Sequence, residues 1–523
     1  MIFSKTKTPS EPRRQTADKV LANWLGFCFN VVMLKKRPAE EQQKMELVIL
    51  SDLIPKGHLL RKIAKAIEFD FIYEKVKDLY CADNGRPAVD PVVLFKMLFI
   101  GYLFGIRSER QLIRDIEVNV AYRWFLGFDL TQKVPDASTI SQNRRRRFNQ
   151  SAICQEIFDE IVFQAIKRGL VDGKTLYTDS THLKANANKN KFKREQVDRS
   201  TRDYIAELDR DVSEDRLQHG KKALSDKAEE VKQKEVKVST TDSDSGYMVR
   251  DGKPKGFFYL DHRTVDGRHG LITDSHVTPG NVHDSIPYLA RLDRQRERFG
   301  FEVSEVGLDA GYFTAPICHG LVERDIYGVI GYSRPTHREG YLRKSDFVYD
   351  EYYNCYLCPR DQILRYRTTT REGYREYASE SKICRDCDLR GQCTQSRNMV
   401  KIITRHIWQD SKERINDHRY ESRGKAIYSR RKETVERSFA DGKQLHGHRY
   451  ARFRGLLKVQ AQCLLSVACQ NMKKIALMVC RRGLLYFFAV INTSIKLKRG
   501  HLDRITAIAT LLPISPRLLS LQI

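Results

Sequence analysis

Apolar residues recur at helical spacing in the first third of the chain. Across residues 35–80 apolar positions three or four apart occur in two series, Leu47, Leu50 and Ile54, and then Leu60, Ile63 and Ile67. This period predicts amphipathic helices. Residues 92–130 are more strongly apolar and predict two or three helices, with breaks at Gly101, Gly105 and Gly127. We therefore predict a helical N-terminal domain over residues 33–150.

A run of four arginines ends the segment 134–147. Asp136 or Ser138 is suited to cap a short helix there. The C-terminal end of that helix would carry Arg144, Arg145, Arg146 and Arg147. One interpretation is the second helix of a helix-turn-helix-like unit that contacts DNA. The alternative is a solvated helix end whose cations complement the helix dipole.

After a helix predicted over residues 151–168, the pattern of apolar residues changes from one typical of helices to one typical of β-strands. Residues 176–187 predict a strand that delivers Asp179 at its end. Residues 191–238 are dense in charge and have few apolar positions, which predicts an exposed or loosely packed helical excursion.

A β-hairpin is predicted next, because β-type runs at 256–265 and 270–277 flank Asp266-Gly267. A helix near 284–299, a strand carrying Asp309 and a short strand at 327–331 follow. Strand, hairpin, helix and strand, with an acid on the first and fourth strands, is typical of a ribonuclease H-like α/β core. The final acid of such a core sits on a later helix, and Glu436 qualifies because a long apolar helical region follows it.

The charge balance indicates a polyanionic partner. The 523 residues include 92 lysines and arginines against 66 acidic residues, a net charge of +26. Such a surplus favours a phosphate-rich partner. The alternatives are a protein that is merely soluble and basic, or one that touches anionic lipid.

Membrane insertion and export are both disfavoured. The longest apolar runs, 21–34, 94–106 and 483–491, fall short of the roughly 18 to 20 residues that a spanning helix needs. The first run follows several cations, but no small-x-small cleavage site follows it. We expect a cytoplasmic, nucleoid-associated protein. Met33 looks like a natural beginning, which would make residues 1–32 an upstream extension.

Asp179, Asp309 and Glu436 have the chemistry of a divalent-metal site. In-line cleavage of a phosphodiester requires stabilisation of the attacking and leaving oxygens, which two Mg²⁺ ions about 4 Å apart supply between shared carboxylates. Hard cations prefer oxygen ligands, so Asp and Glu suit this chemistry better than His or Cys.

Helix geometry selects the third acid. At about 100° per residue, Lys432 and Lys443 share the face of Glu436, whereas Glu433 is expected to form a salt bridge. Residues 442–454 add cations and aromatic rings and predict a phosphate track on DNA. An ordinary basic loop is the alternative. The DNA-contacting residues predicted in this region are Lys432, Lys443, Arg449, Arg452 and Arg454.

Five of the twelve cysteines fall between Cys355 and Cys393. This clustering indicates a metal site rather than a disulfide framework. Two C-x-x-C pairs, 355–358 and 384–387, can supply a tetrahedral zinc site. Since Cys393 is a fifth thiol, one cysteine is surplus. Unligated cysteines in a degenerate ribbon are the alternative.

Several motifs resemble those of DDE transposases from bacterial insertion sequences, most nearly the insertion-sequence 1182 group. They are Asp179-Ser-Thr-His-Leu-Lys-Ala-Asn-Ala187, Gly307-Leu-Asp-Ala-Gly-Tyr312 and Val435-Glu-Arg-Ser-Phe-Ala-Asp-Gly-Lys443, with Arg452-Phe-Arg-Gly455 downstream. The resemblance extends from about Met33 to Lys474.

The resemblance implies a ribonuclease H-like catalytic domain in which Asp179, Asp309 and Glu436 bind Mg²⁺ or Mn²⁺. It implies binding to terminal inverted repeats and to target DNA, and the pairing of two DNA ends suggests a homodimer on DNA. The usual cysteine set of the resembled family maps onto Cys358, Cys384, Cys387 and Cys393 as Zn²⁺ ligands and leaves Cys355 spare.

One departure from related families concerns the accessory residues around the glutamate. These families carry a Tyr-Arg-Glu-Lys signature, in which Lys443 fits its place. However, Lys432 stands where Arg is expected, and Ser429 where Tyr is expected. Tyr428 and Arg431 sit one residue off.

The sequence thus predicts a transposase that cuts and joins DNA at the ends of an insertion sequence. Two alternatives remain: a catalytically silent DNA-binding regulator, or a metal-dependent nuclease without strand transfer. The predicted segments are an extension (1–32), a helical DNA-binding domain (33–150), the catalytic domain in two parts (170–335 and 411–480), an inserted cysteine-rich subdomain (336–410) and a tail (481–523).

Overall fold

A computed structural model describes residues 47–80, 88–148, 151–198, 205–224, 233–249, 254–332 and 338–498. The extension predicted at 1–32 and the part of the tail after residue 498 lie outside the described residues. Residues up to Leu53 belong to one compact unit and those from Ile54 onward to a second. The site described below lies entirely in the second unit.

Helices form the part of this unit that precedes the sheet. They are α1 (Leu59–Ala66), α2 (Phe71–Val76), α3 (Pro91–Leu103), α4 (Glu109–Val118), α5 (Val120–Leu126), α6 (Ala137–Asn143) and α7 (Ile153–Lys167). The helical prediction is wrong for residues 47–57, which form turns and irregular chain. It is also wrong that Gly101 breaks a helix, because Gly101 lies buried within α3. A Cβ there would lie 3.3 Å from the Leu112 side chain, so this glycine permits close packing of α3 on α4.

A mixed sheet follows the helices. Its strands are β1 (Thr175–Lys184), β2 (Phe192–Asp198), β3 (Gln233–Ser239), β4 (Gly246–Met248), β5 (Gly256–Asp266), β6 (Ile272–Pro279), β7 (Glu305–Leu308) and β8 (Tyr327–Ile330). The hairpin prediction is confirmed, because β5 and β6 pair antiparallel. β5 also pairs antiparallel with β1, while β7 pairs parallel with both β1 and β8. The central strand order is therefore β6-β5-β1-β7-β8.

The charged segment 191–238 is only partly the predicted helical excursion. A helix, α8 (Ile205–Gln218), does occur, but β2 and β3 flank it and pair antiparallel. The Lys237 ammonium lies 4.6 Å from the ring centroids of both Phe192 and Tyr247, which fixes the strand pair through cation–π contacts. β4 joins β3 to β5, so this pair extends the main sheet.

Two further helices flank the parallel strands. These are α9 (Tyr288–Phe299) and α10 (Ala315–Glu323). α9 begins four residues later than the helix start predicted near Asp284, because residues 280–287 form a turn-rich loop after β6.

A second, antiparallel sheet lies between β8 and the C-terminal helices. It consists of β9 (Val348–Asp350), β10 (Cys355–Leu357), β11 (Ile363–Thr369), β12 (Tyr374–Ala378) and β13 (Ile402–His406), with short helices α11 (Ser381–Arg385) and α12 (Arg390–Cys393). Its own small core contains Phe347, Tyr356, Leu364, Tyr377 and Ile403. Helix α8 docks on this sheet, since the Asp215 carboxylate accepts hydrogen bonds from Thr369 and Arg375.

The C-terminal helices close the fold. They are α13 (Gln409–Asp417), α14 (Ser422–Ser429), α15 (Arg437–Leu445) and α16 (Leu456–Lys498), with a π-helical turn at Lys432–Glu436 between α14 and α15. Residues 456–481 of α16 are long and apolar enough to cross a membrane, but 67% of their most apolar window is buried inside the protein. This part of α16 packs against α1, α3, α7 and β6, as expected for a core helix.

Candidate active site

The sheet brings Asp179 and Asp309 to one edge. The parallel pairing of β1 with β7 ends at Thr178 opposite Leu308. Asp179 is the next residue of β1, and Asp309 directly follows the end of β7. The prediction that Asp179 ends its strand is wrong, because β1 continues to Lys184. Asp179 nevertheless lies where the neighbouring strand stops, and this gives its carboxylate an open side.

Arg431 joins the two aspartates. Its Nη2 lies 3.0 Å from Oδ2 of Asp179 and its Nη1 lies 3.4 Å from Oδ1 of Asp309. The Arg431 side chain is only 5% exposed, and Nη1 also lies 3.3 Å from the Tyr428 hydroxyl. A buried guanidinium between two carboxylates compensates charge on both sides.

Glu436 lies on the π-helical turn that follows Arg431. This turn packs against β1 and β5, with Val435 buried beneath it. Glu436 itself is exposed, as is Glu433. Among the described residues, no hydrogen bond or ion pair joins Glu436 to either aspartate, and the salt bridge expected for Glu433 is not formed.

The π-helical turn explains the one-residue departure from the signature. The Glu436 amide donates to the Arg431 carbonyl at 3.1 Å, a separation of five residues where an α-helix has four. The extra residue moves the arginine from position 432 to 431 and the tyrosine from 429 to 428. Lys432, which the α-helical count placed beside Glu436, is exposed.

A buried network holds this turn on the sheet. Arg263, which is paired with Asp179 in the strand register, is fully buried. Its Nη1 donates to the Ser438 carbonyl at 3.1 Å, and its Nε donates to Asp261 at 2.8 Å. The strand that borders Asp179 is therefore fastened to the helix that begins after Glu436.

Burial raises the pKa of Asp179 to about 6. The Arg431 guanidinium and the Ser180 amide oppose this rise, whereas the negative charges of Asp309 and Asp284 add to it. A proton therefore binds Asp179 more readily than an ordinary aspartate. A divalent cation would have to compete with that proton.

Asp284 is an acidic neighbour that the sequence analysis missed. Its Oδ1 accepts a hydrogen bond from Ser180 Oγ at 2.7 Å and lies 4.0 Å from His262 Nδ1. Asp284 lies in the turn-rich loop that follows β6, and the loop brings it back to Asp179, so strand pattern alone does not identify it.

A second cluster of ligand-type atoms lies deeper in the same region. Asp261, His448 and Cys463 are buried and place one ligand atom each within 4.8 Å of one another. The Asp261 carboxylate, however, already accepts from Arg263 and from Ser275 and lies 2.9 Å from His448 Nε2. Burial raises the pKa of Asp261, but the charges of Arg263 and His448 outweigh it and lower the net value. This cluster is a structural hydrogen-bond network.

Four of the five clustered cysteines line one small apolar cavity of about 40 Å³. They are Cys358, Cys384, Cys387 and Cys393. Burial raises the pKa of Cys393, and proximity to the other three thiols raises it further. Cys355 lies on β10, buried and opposite Asp350 and Arg365. The geometry therefore favours the set that contains Cys393, and four thiols fit the preference of Zn²⁺ for sulfur ligands.

The four arginines after α6 divide into two pairs. Arg144 forms an ion pair with Glu109 and lies 4.2 Å from the Phe453 ring. Arg147 lies 4.3 Å from the Tyr80 ring, so both are engaged in the fold. Arg145 and Arg146 are exposed.

The cations of the predicted phosphate track also differ in exposure. Arg449 and Arg454 are exposed, and Arg454 Nε donates to the Asn186 carbonyl at 3.0 Å. Lys443 is partly buried. Arg452 is partly buried, with its guanidinium 4.5 Å from the Tyr102 ring.

Two protein families match parts of the sequence. The family described as "Transposase domain (DUF772)" matches residues 48–146, and the family described as "Transposase DDE domain" matches residues 357–476. The second match includes Glu436 and the four cysteines of the cavity, whereas Asp179 and Asp309 lie outside both matches. No curated protein matches the chain in sequence.

One solved structure similar to this chain is a cryo-EM synaptic complex of piggyBac transposase with hairpin DNA. Its sequence is 10% identical, over 80% of this chain and 79% of that chain, with a TM-score of 0.25. A score this low supports no argument about the fold. The two sequence matches, to a transposase domain and to a transposase DDE domain, support a transposase.

Proposed function

We propose that this protein is a DDE transposase that cleaves DNA at the terminal inverted repeats of an insertion sequence and joins the ends to target DNA. The observation that carries the proposal is the placement of Asp179 and Asp309 on adjacent parallel strands, bridged by Arg431. The π-helical turn that bears Glu436 packs against the same strand, β1.

The strand order supports a ribonuclease H-like catalytic core. Three antiparallel strands, β6, β5 and β1, are followed by the parallel strands β7 and β8. Asp179 lies on β1, Asp309 follows the end of β7, and Glu436 lies on the π-helical turn after the second sheet. This arrangement supports the proposed ribonuclease H-like core.

Asp179, Asp309 and Glu436 are the residues that would hold Mg²⁺ or Mn²⁺. All three donate carboxylate oxygens, which suits hard cations, and the bound metal would stabilise charge on the reacting phosphate oxygens. In cleavage, a water oxygen bonds to phosphorus and the 3′-oxygen leaves as a hydroxyl. In strand transfer, that 3′-hydroxyl bonds to a target phosphorus, and the target's own 3′-oxygen leaves.

Arg431 is suited to a second role at this site. When a cation binds Asp179 and Asp309, it replaces the Arg431 guanidinium as the positive charge that compensates the two carboxylates. The guanidinium then offers charge-assisted hydrogen bonds to the phosphate that reacts.

The remaining proposals concern the partners and zinc. The net charge of +26 supports terminal repeats and target DNA as partners. We also propose that a homodimer pairs the two DNA ends in the nucleoid. Zn²⁺ on Cys358, Cys384, Cys387 and Cys393 would fasten α11 and α12 to the second sheet.

The test is a cleavage and strand-transfer assay on DNA that flanks the gene, with Mg²⁺ or Mn²⁺ and with EDTA. We expect nicks at the flanking ends in wild type and a loss of at least about a hundredfold in Asp309→Asn and Glu436→Gln. Glu433→Gln is the matched control, since Glu433 is also exposed and lies on the same turn. Metal-independent cleavage, or equal activity in Glu436→Gln and wild type, would refute the assignment. Binding without any cleavage would indicate a regulator.

A further inference from the structure

A cavity of about 490 Å³ lies between the helical domain and the segment 445–453. Residues from α3, α4, α6 and the C-terminal segment line it, and they come from positions as far apart as Leu98 and Phe453. The two sides are fastened together, because His446 Nδ1 lies 2.9 Å from the Tyr102 carbonyl oxygen. The volume falls within the range of about 300 to 1,000 Å³ that small-ligand sites occupy.

The lining of this cavity is strongly basic. It includes four arginines, Arg107, Arg110, Arg144 and Arg452, and a single acidic residue, Glu109. Glu109 is already paired with Arg144. Hydroxyl groups of Ser108, Ser138 and Ser141 also line the cavity and can donate hydrogen bonds.

Arg452 lines the cavity with a guanidinium that is only partly satisfied. Its Nε and Nη2 are buried and have no hydrogen-bond acceptor among the described residues. A buried charged donor without an acceptor is costly, so such groups are normally paired. The residue is also held in place, because its backbone amide donates to Gln462 Oε1 at 2.7 Å and its guanidinium lies over the Tyr102 ring.

Two of the arginines that line the cavity lie over aromatic rings. The Arg144 guanidinium lies 4.2 Å from the Phe453 ring, and that of Arg107 lies 5.2 Å from the Tyr450 ring. Stacking on a ring fixes the plane of a guanidinium and leaves its edge free to bind phosphate oxygens.

We propose that this cavity binds one nucleotide unit of DNA, with a backbone phosphate on Arg452 and Arg110. The inference rests on the proposed function and adds a defined DNA-binding site at the junction of the helical domain with the segment 445–453. Through this site, one phosphate contacts both parts of the protein, so DNA binding and the position of the helical domain are coupled.

The test is DNA binding in EDTA, where no cleavage occurs, with duplexes that each carry one neutral methylphosphonate in place of a phosphate. One position in the scan should weaken wild-type binding about tenfold. Arg452→Gln should bind unmodified DNA about tenfold more weakly. A methylphosphonate at the sensitive position should not weaken its binding further, since in a double-mutant cycle the two changes remove the same contact. Arg452→Lys should restore part of the binding.

Arg110→Gln and Arg114→Gln form the matched pair, because both arginines are exposed on α4 and Arg114 does not line the cavity. We expect Arg110→Gln to lower the slope of log affinity against log salt by about 1 and to lose the position-specific effect. Arg114→Gln should retain that effect.

The proposal would be overturned if Arg110→Gln and Arg114→Gln lost DNA affinity equally. It would also be overturned if Arg452→Gln kept the wild-type sensitivity to methylphosphonate at every position. Inorganic phosphate or a free mononucleotide that binds wild type, loses that binding in Arg452→Gln and leaves the DNA affinity of wild type unchanged would indicate a small-molecule site instead. Because the assay needs no catalysis, its outcome is independent of whether the protein cuts DNA.

Discussion

Replacing Arg431 by methionine should make metal binding at the acidic site more sensitive to pH. Arg431 is the cation that lowers the pKa of Asp179, which burial has raised to about 6. A neighbouring opposite charge lowers a carboxyl pKa by about 1 to 3. Since Asp179 keeps 21% of its side-chain exposure, the lower figure applies. The variant should therefore hold Asp179 at a pKa of about 7.

The magnitude follows from proton competition. A metal binds the carboxylate, so its apparent affinity scales with the deprotonated fraction. Between pH 6 and pH 9 that fraction rises about twofold for a pKa of about 6 and about tenfold for a pKa of about 7. The sign is fixed: loss of the guanidinium favours the protonated acid and moves the midpoint upward.

The assay is Mn²⁺ titration, followed by calorimetry or electron paramagnetic resonance, at pH 6, 7, 8 and 9. The ratio of affinities at pH 9 and pH 6 removes any direct repulsion between Arg431 and the metal, because that repulsion acts at both pH values. Lys432→Met is the control, since Lys432 is an exposed neighbouring cation on the same turn. A ratio for Arg431→Met equal to or below that of wild type would refute the argument.

Three further predictions address the surroundings of the site. Asp284→Asn should shift the pH midpoint of Mn²⁺ binding downward, opposite to Arg431→Met, because the Asp284 charge raises the pKa of Asp179; an upward shift would contradict this. Cys393→Ser should lose bound zinc, measured by elemental analysis, whereas Cys355→Ser should retain it; equal retention would exclude the four-thiol set. Deletion of Lys432 should give a folded protein that still cleaves DNA, because it restores α-helical spacing between Arg431 and the glutamate. Deletion of Ala440, which lies beyond the turn, is the control and should abolish cleavage. If the Lys432 deletion is also inactive, the prediction is wrong and the π-helical turn is required for cleavage.

The parts of the fold predicted correctly depend on local signals. The β5–β6 hairpin was found because Asp266-Gly267 lies between two β-type runs. The strand after which Asp309 lies was found for a similar reason, since β7 is a short apolar run followed by a glycine-containing turn. Such local signals can be recognised without knowing which strands pair with partners that are remote in sequence.

The β2–β3 pair was missed because its partners are far apart in sequence. Phe192 pairs with Ser239 across 46 intervening positions, and charged residues such as Lys193 and Arg194 dominate both strands. A strand pair with solvent around it has no continuous apolar face, so its composition resembles that of an exposed helix. Only the pairing through β4 to the main sheet reveals it.

The roles of Arg431 and Tyr428 at the site were missed for a different reason. Counting along an α-helix assumes that hydrogen-bonded residues are four positions apart, and this count put Lys432 beside Glu436. The Glu436 amide instead bonds to the Arg431 carbonyl, so one residue more is accommodated within the turn. Thr434 and Val435 are buried while Lys432 and Glu433 are exposed.

The extra residue therefore keeps the apolar side of the turn on the sheet while Arg431 faces both aspartates. Residue composition gives no separate signal for such a turn, because the same residue types occur in π-helical and in α-helical turns. The mismatch with the Tyr-Arg-Glu-Lys spacing was nevertheless informative, since Tyr428 and Arg431 were displaced together by one position. A uniform displacement indicates an inserted residue in the helix rather than lost accessory residues, and the contacts of Arg431 with Asp179 and Asp309 agree with that interpretation.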